Sequence, residues 1–202
     1  LLRYALPVTH ASSPARARRW PLDLLFFVGA TLAALWAELA PGDVAVALKL
    51  VPMGTLIVHL ALRLRAGEVA RRMAVALLLG LIVSTVGDVV IAYQFLAGIA
   101  AFLLAHVAYL VAMGRPRGGA AQNGAATLPA LAVGGTMGWI LVGGGRLPGP
   151  LRVPVLIYMV VISAMLARAV ARAFVAPRTR ASRAFLVGAA LFVTSDALIA
   201  LS

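Results

Sequence analysis

The sequence predicts an all-α fold, a polytopic bundle of seven transmembrane helices. The first observation is composition: 63% of the 202 residues are hydrophobic and only 12% are charged, about half the charged share of a typical soluble domain. The second is that apolar stretches long enough to span a bilayer recur along the chain. The third is that these stretches lack the two-residue alternation of barrel strands, whereas helices satisfy their own backbone hydrogen bonds in lipid. The composition argues against a water-soluble globular protein.

Each apolar stretch is bounded by charged residues, glycine or proline, and each can cross a hydrocarbon core of ~30 Å as a helix. The predicted spans are Leu22–Ala40, Val44–Leu64, Ala74–Gln94, Phe95–Met113, Ala125–Gly144, Val153–Val175 and Ala184–Leu201. We expect residues 1–20 to form a basic cytoplasmic leader and residues 21–202 to form a single transmembrane domain.

Basic residues fall mainly on one side of the membrane when the loops are assigned to alternating sides. Among the 18 basic residues, only Lys49, Arg146 and Arg152 are exceptions. The positive-inside rule then places the N-terminus and the basic loops in the cytoplasm, as expected for a multi-pass protein of a bacterial inner membrane. Because the charges are spread over separate loops, we expect the net charge of +12 to meet membrane lipids rather than nucleic acid.

The third and seventh spans resemble each other. Residues 77–92 read LLLGLIVSTVGDVVIA and residues 185–200 read FLVGAALFVTSDALIA, and the two align without a gap. Each contains one acidic residue, Asp88 or Asp196, at the same position. Because both spans run outward, the repeat would be a parallel one of four plus four spans. It predicts an eighth helix after Ser202.

Four ionisable residues, Lys49, Asp88, His106 and Asp196, lie deepest within the predicted spans, where such groups cost several kcal/mol unless they face a cavity or a partner. Lys49, Asp88 and Asp196 are each about five residues from the outer end of a span and so share one depth. We expect the two carboxylates to face one interior cavity. His106 lies deeper, on a helix face defined by steps of three and four residues. That face comprises Gly98, Phe102, His106, Tyr109 and Met113.

Other interpretations of these residues remain open. Lys49 and one aspartate could form a structural ion pair, with His106 hydrogen-bonded to Tyr109 or to a carbonyl group. A zinc site would need three clustered ligands, whereas His10, His59 and His106 lie in the leader and on separate spans. The chain has no cysteine and no serine in a G-x-S-x-G elbow. We therefore expect no metal site and no serine or thiol nucleophile.

Motifs in the third, fourth and seventh spans resemble those of one known family. Gly87 and Asp88 close span three, and span four carries F-x-x-G-x-x-x-F-x-x-x-H-x-x-Y from Phe95 to Tyr109. Span seven contains GAALFVTSDALIA, residues 188–200, with a Ser-Asp pair near its end. These motifs resemble those of the YhhN-like family of polytopic membrane proteins, the lysoplasmalogenases.

The resemblance extends over nearly all of the chain from the second span onward. Lys49 and Pro52 are similar to a Lys-Pro pair in the family's second span, with two residues inserted between them. Pro154, Tyr158 and Met165 are similar to a segment of its sixth span. Members of the family have eight spans, so the resemblance and the internal repeat both lead us to expect a further C-terminal helix.

The resemblance implies hydrolysis of the vinyl ether bond of lysoplasmalogens, which releases a fatty aldehyde and glycerophosphocholine or glycerophosphoethanolamine. This reaction requires a carboxylic acid that protonates the alkene and an anion that stabilises the resulting cation and deprotonates water. Paired carboxylates divide such roles in glycosidases. Asp88 and Asp196 are the implied catalytic pair, and neither is assigned as the acid.

The resemblance also implies roles for the neighbouring polar residues. His106 would orient water or a carboxylate, and Tyr109 and Tyr158 would donate hydrogen bonds to the substrate. Lys49 would hold the substrate phosphate or lower the pKa of one aspartate. Ser195 of the Ser-Asp pair belongs to the same substrate-binding set. No cofactor is implied.

Two other classes of function fit the same residues. A small proton-coupled transporter or lipid-binding membrane protein would use the parallel repeat and the charges within the membrane as a pathway. A purely structural membrane subunit would use them for packing. The sequence does not determine the oligomeric state.

Overall fold

Helices form all the regular structure in the part of the chain that the computed structural model describes, residues 28–29, 32, 36, 42–114, 119–145, 147–177 and 179–201. The helices are α1 (Gly42–Arg65), α2 (Arg71–Val90), α3 (Phe95–Met113), α4 (Ala120–Gly138), α5 (Gly149–Val175) and α6 (Arg180–Leu201). A short π-helical segment, Trp139–Gly143, continues α4. The all-α fold predicted from the sequence is confirmed for these residues.

Five helical segments within the described residues are long and apolar enough to cross a membrane. They are Gly42–Arg65, Arg71–Val90, Phe95–Met113, Asn123–Gly143 and Gly149–Val175. By length and composition, the chain is therefore a membrane protein with several spanning helices.

The sequence predicts seven spans, whereas five segments among the described residues meet these criteria of length and composition. The last predicted span lies in α6, whose side chains after residue 197 are outside the described residues. The leader is outside them too, and so is most of the span Leu22–Ala40, of which Val28, Gly29, Leu32 and Trp36 are described and helical. The seven spans, the repeat of four plus four and the eighth helix stay predictions.

Helix ends differ from the predicted spans because polar residues extend the helices beyond their apolar stretches. For example, α2 begins at Arg71 rather than Ala74, and α6 begins at Arg180 rather than Ala184. Thr179 precedes α6 and its hydroxyl oxygen accepts a hydrogen bond from the Ser182 amide, at 3.2 Å. This is an N-cap interaction, and it fixes the start of α6 one turn before the apolar stretch.

The chain divides into two units, residues 1–55 and 56–202. Within the second unit, α2 packs on α3, α4 packs on α5, and α5 also contacts α3 and α6. Its core is formed by small and apolar side chains of α3 to α6, among them Ala105, Met113, Ile162, Met165 and Ala189. Helix α5 thus lies at the centre of the second unit.

Two arginines of α5 hold the C-terminal end of α3. Arg168 Nη1 donates a hydrogen bond to the Gly114 carbonyl at 2.6 Å, and Arg172 Nη1 donates to the Met113 carbonyl. The Arg172 guanidinium also lies over the Phe185 ring of α6, 5.3 Å from its centroid. The last carbonyls of a helix have no partner within the helix, and cations there interact favourably with its dipole. Arg172 therefore joins α3, α5 and α6.

Replacing Arg172 should destabilise the second unit. The substitution Arg172→Gln removes the charged donor to Met113 and the contact with Phe185, and a hydrogen bond to a charged group contributes about 1.5–3 kcal/mol. We expect the midpoint of thermal unfolding in detergent to fall by several degrees. The exposed Arg71 at the start of α2 provides the control Arg71→Gln, which should leave the midpoint unchanged. Equal effects of both substitutions would contradict this role of Arg172.

Candidate active site

His106 is completely buried on α3 and presents one unpaired acceptor to the interior. Its side chain has 0% exposure, and its Nδ1 lies 2.6 Å from the Phe102 carbonyl oxygen one turn earlier. Because a carbonyl oxygen can only accept, Nδ1 carries the hydrogen, and Nε2 of the neutral ring is the acceptor. Nε2 is buried and has no hydrogen-bond partner among the described residues. An unsatisfied buried acceptor costs about 1–3 kcal/mol.

Three aromatic rings from three helices surround the His106 imidazole. The ring centroids of Tyr109 on α3, Tyr158 on α5 and Phe192 on α6 lie 5.9, 5.4 and 4.9 Å away, each nearly perpendicular to the imidazole. Such edge-to-face arrangements are favourable for aromatic pairs. We call His106 and these three residues the histidine cluster.

Asp196 is joined to the histidine cluster through Tyr158. The Tyr158 hydroxyl donates a hydrogen bond to Asp196 Oδ2, while the Tyr158 ring contacts His106. Phe192 precedes Asp196 by four residues on α6, so the two share one helix face. The carboxylate of Asp196 is half-buried and lies at the border of the cluster.

Ser84 of α2 contacts the same cluster one turn before Asp88. Ser84 is buried and its Oγ lies 3.0 Å from the Tyr109 hydroxyl oxygen. Asp88 follows Ser84 by four residues on the same helix face. Asp196 thus binds one tyrosine of the histidine cluster, and Asp88 lies on the α2 face that contacts the other. That the two carboxylates face one cavity stays a prediction.

Two glycines of α2 make room for the aromatic side chains of α3. A Cβ atom at Gly80 would lie 2.3 Å from the Tyr109 ring, and one at Gly87 would lie 3.2 Å from the Phe102 ring. The predicted face of α3 packs here, with Gly98, His106, Tyr109 and Met113 buried. Gly80 and Ser84 were not predicted from the sequence as residues of the site. Small residues at four-residue spacing before Asp88 were a usable signal, since they permit close helix packing.

Lys49 and Ser195 are the other two residues predicted to bind substrate. Lys49 is on α1, in the first unit, and its side chain is outside the described residues. Ser195 precedes Asp196 but its side chain is exposed, so it is not part of the buried cluster. Their contacts with substrate stay predictions.

A cavity of about 440 Å³ lies between α4 and α5 and is lined by small and apolar side chains. Its lining includes Gly134, Leu156 and Ser163. Leu156 and Ser163 are roughly 140–160° around α5 from Tyr158. This cavity therefore lies on the side of α5 that faces away from the histidine cluster.

Within the described ranges of the chain, no three histidine, aspartate or glutamate side chains come together as a metal site. The groups that the structure brings together here are the Asp196 carboxylate, two phenols and one imidazole. These groups can donate, accept and transfer protons.

Comparison with known proteins gives one match. A sequence model of the YhhN family matches residues 44–202, a range that includes α2 to α6 and nearly all of α1. No curated protein and no solved structure matches the chain.

Adding a methyl group at Gly80 should disrupt the contact between α2 and α3. In Gly80→Ala the new Cβ would meet the Tyr109 ring, so that ring must move away from Ser84, and overpacking of this kind costs about 1–3 kcal/mol. We expect a lower midpoint of thermal unfolding and altered tyrosine fluorescence. Gly135 of α4 has open space around its Cα, so Gly135→Ala is the matched control and should not lower the midpoint. A Gly80→Ala protein as stable as the parent would contradict this packing.

Proposed function

The chain belongs to the YhhN family, and on that premise we propose that it hydrolyses the vinyl ether bond of lysoplasmalogens within the membrane. The observation that supports this most directly is the buried arrangement in which the Tyr158 hydroxyl binds Asp196 while its ring contacts His106. Ionisable groups within membrane helices are costly, and this arrangement is suited to proton transfer next to an apolar substrate.

The proposed reaction has three chemical steps. An acid first donates a proton to the alkene carbon that is not bonded to oxygen, and the ether oxygen shares its lone pair to form an oxocarbenium ion. Water then adds to the cationic carbon and gives up a proton to a base. In the last step the hemiacetal hydroxyl loses its proton and forms the aldehyde carbonyl, the bond to the glycerol oxygen breaks, and that oxygen takes up a proton to give the free glycerophospho-base.

Asp88 and Asp196 form the proposed acid and base pair. A protonated carboxyl group delivers the first proton, and the other carboxylate stabilises the cation and accepts the proton of the attacking water. In Asp196 the oxygen Oδ2 accepts the hydrogen bond from Tyr158, which orients Oδ1 as the oxygen that exchanges a proton. Lys49 and Ser195 complete the proposed set as contacts for the polar end of the substrate.

The bond that is cleaved provides the sharpest test of this function. Purified protein in detergent should release fatty aldehyde from a 1-alkenyl lysophospholipid and none from the saturated 1-alkyl analogue, because only the alkene can accept the initial proton. Aldehyde trapping with a hydrazine and mass spectrometry measure the product. A folded protein that leaves the vinyl ether intact, but moves lysolipid or protons across a liposome membrane, would instead be a transporter.

Substitution of either aspartate should abolish turnover without unfolding the protein. Asp88→Asn and Asp196→Asn keep the side-chain size but remove the transferable proton and the charge, and loss of general acid–base catalysis costs about 10²–10⁴ in rate. Glu68→Gln, in the loop after α1, removes a carboxylate far along the chain from both and should keep full activity. The measurement is the rate of aldehyde release, compared between the parental protein and variants of the same thermal stability. A variant that keeps more than about a tenth of parental turnover removes that aspartate from the mechanism.

A further inference from the structure

The buried Nε2 atom of His106 is a hydrogen-bond acceptor to which a bound ligand can donate. Its Nδ1 is committed to the Phe102 carbonyl, so Nε2 accepts, and Nε2 is buried without a partner among the residues that the structure describes. Buried polar atoms are almost always hydrogen-bonded in native proteins. A bound hydrogen-bond donor would remove this penalty, and the same donor would be selected over ligands that lack it.

The neighbouring side chains are already engaged in other interactions. The Tyr158 hydroxyl donates its one hydrogen to Asp196, the Tyr109 hydroxyl is paired with Ser84, and Phe192 has no donor. The three rings around the imidazole are apolar, so the surroundings of Nε2 favour a small uncharged donor. A hydroxyl group has this chemistry.

Resting on the proposed function, we infer that His106 Nε2 accepts a hydrogen bond from the free 2-hydroxyl of the lysolipid glycerol and thereby selects lysolipids over 2-acylated lipids. The vinyl ether oxygen and the 2-hydroxyl are on adjacent carbons of glycerol, so the groups that act on them must lie close together. His106 and Asp196 contact the same side chain, His106 at the Tyr158 ring and Asp196 at its hydroxyl. An esterified 2-oxygen has no hydrogen to donate and leaves Nε2 unpaired.

As an acceptor for the substrate hydroxyl, His106 has a different role from the one expected from the sequence, in which it orients water. The two roles share the chemistry of a hydroxyl donor but differ in its source. In the role inferred here the donor is part of the substrate. Removing that one hydroxyl from the lipid must therefore lower kcat/KM by the same factor as removing the imidazole from the protein.

The kinetic test combines two substrates with four proteins. The substrates are 1-alkenyl-2-hydroxy lysophosphatidylcholine and its 2-deoxy analogue, and the proteins are the parent, His106→Met, His106→Gln and the control His59→Gln. We expect the parent and His59→Gln to prefer the hydroxyl substrate by roughly 10–100-fold in kcat/KM. His106→Met should lower this preference to within about threefold, and His106→Gln, which can present an amide oxygen, should restore part of it.

Binding and spectroscopy test the same inference without hydrolysis or substitution. The probes are saturated 1-O-hexadecyl-2-hydroxy-glycerophosphocholine and its 2-deoxy analogue, added to parental protein with ¹⁵N-labelled histidine. The hydroxyl probe should bind more tightly and should shift the Nε2 resonance of His106, and the deoxy probe should not. These binding and NMR measurements remain valid if His106→Met does not fold. They also remain valid if the parental protein releases no aldehyde and the proposed function fails.

Two results would overturn the inference. The first is a parental protein that treats the two lipids equally in turnover and binding. If His106→Met is then slowed by the same factor on both substrates, the donor is water. The second result is a preference that survives His106→Met.

Discussion

The hydrogen bond from His106 Nδ1 to the Phe102 carbonyl is the interaction on which the candidate site depends. It determines which ring nitrogen carries the hydrogen, and therefore that the buried Nε2 is an acceptor. The imidazole packs against Tyr158, whose hydroxyl binds Asp196. A series of contacts thus runs from a backbone carbonyl of α3, through two side chains, to a carboxylate on α6.

The sequence predicted the parts of the structure that depend on a single helix. Hydropathy identified the helical segments, and steps of three and four residues identified the buried face of α3 that contains His106 and Tyr109. Contacts between helices were not predictable in this way. The pairing of Ser84 with Tyr109 depends on how α2 is rotated against α3, and the exposed position of Ser195 depends on how α6 is rotated against α5. Depth along a span follows from residue counting, but the direction in which a side chain points follows only from packing.

The basic residues illustrate the same limit. Arg168 and Arg172 contribute to the charge asymmetry from which the orientation in the membrane is predicted. In the structure they also bind the terminal carbonyls of α3, and Arg172 lies on the Phe185 ring of α6. A count of charges gives each arginine equal weight, whereas these two belong to the framework that holds α3, α5 and α6 together.

The complete enclosure of His106 has a consequence for the speed of any reaction at this site. With no exposure of its side chain, no lipid group reaches Nε2 until at least one surrounding ring moves aside. Tyr109 and Tyr158 are each anchored by a hydrogen bond, whereas Phe192 is held by packing alone, so rotation of Phe192 is the least costly opening. Gating motions of this kind limit turnover in many enzymes. The rate at which the Phe192 ring moves aside would then place an upper limit on the rate of any reaction at His106.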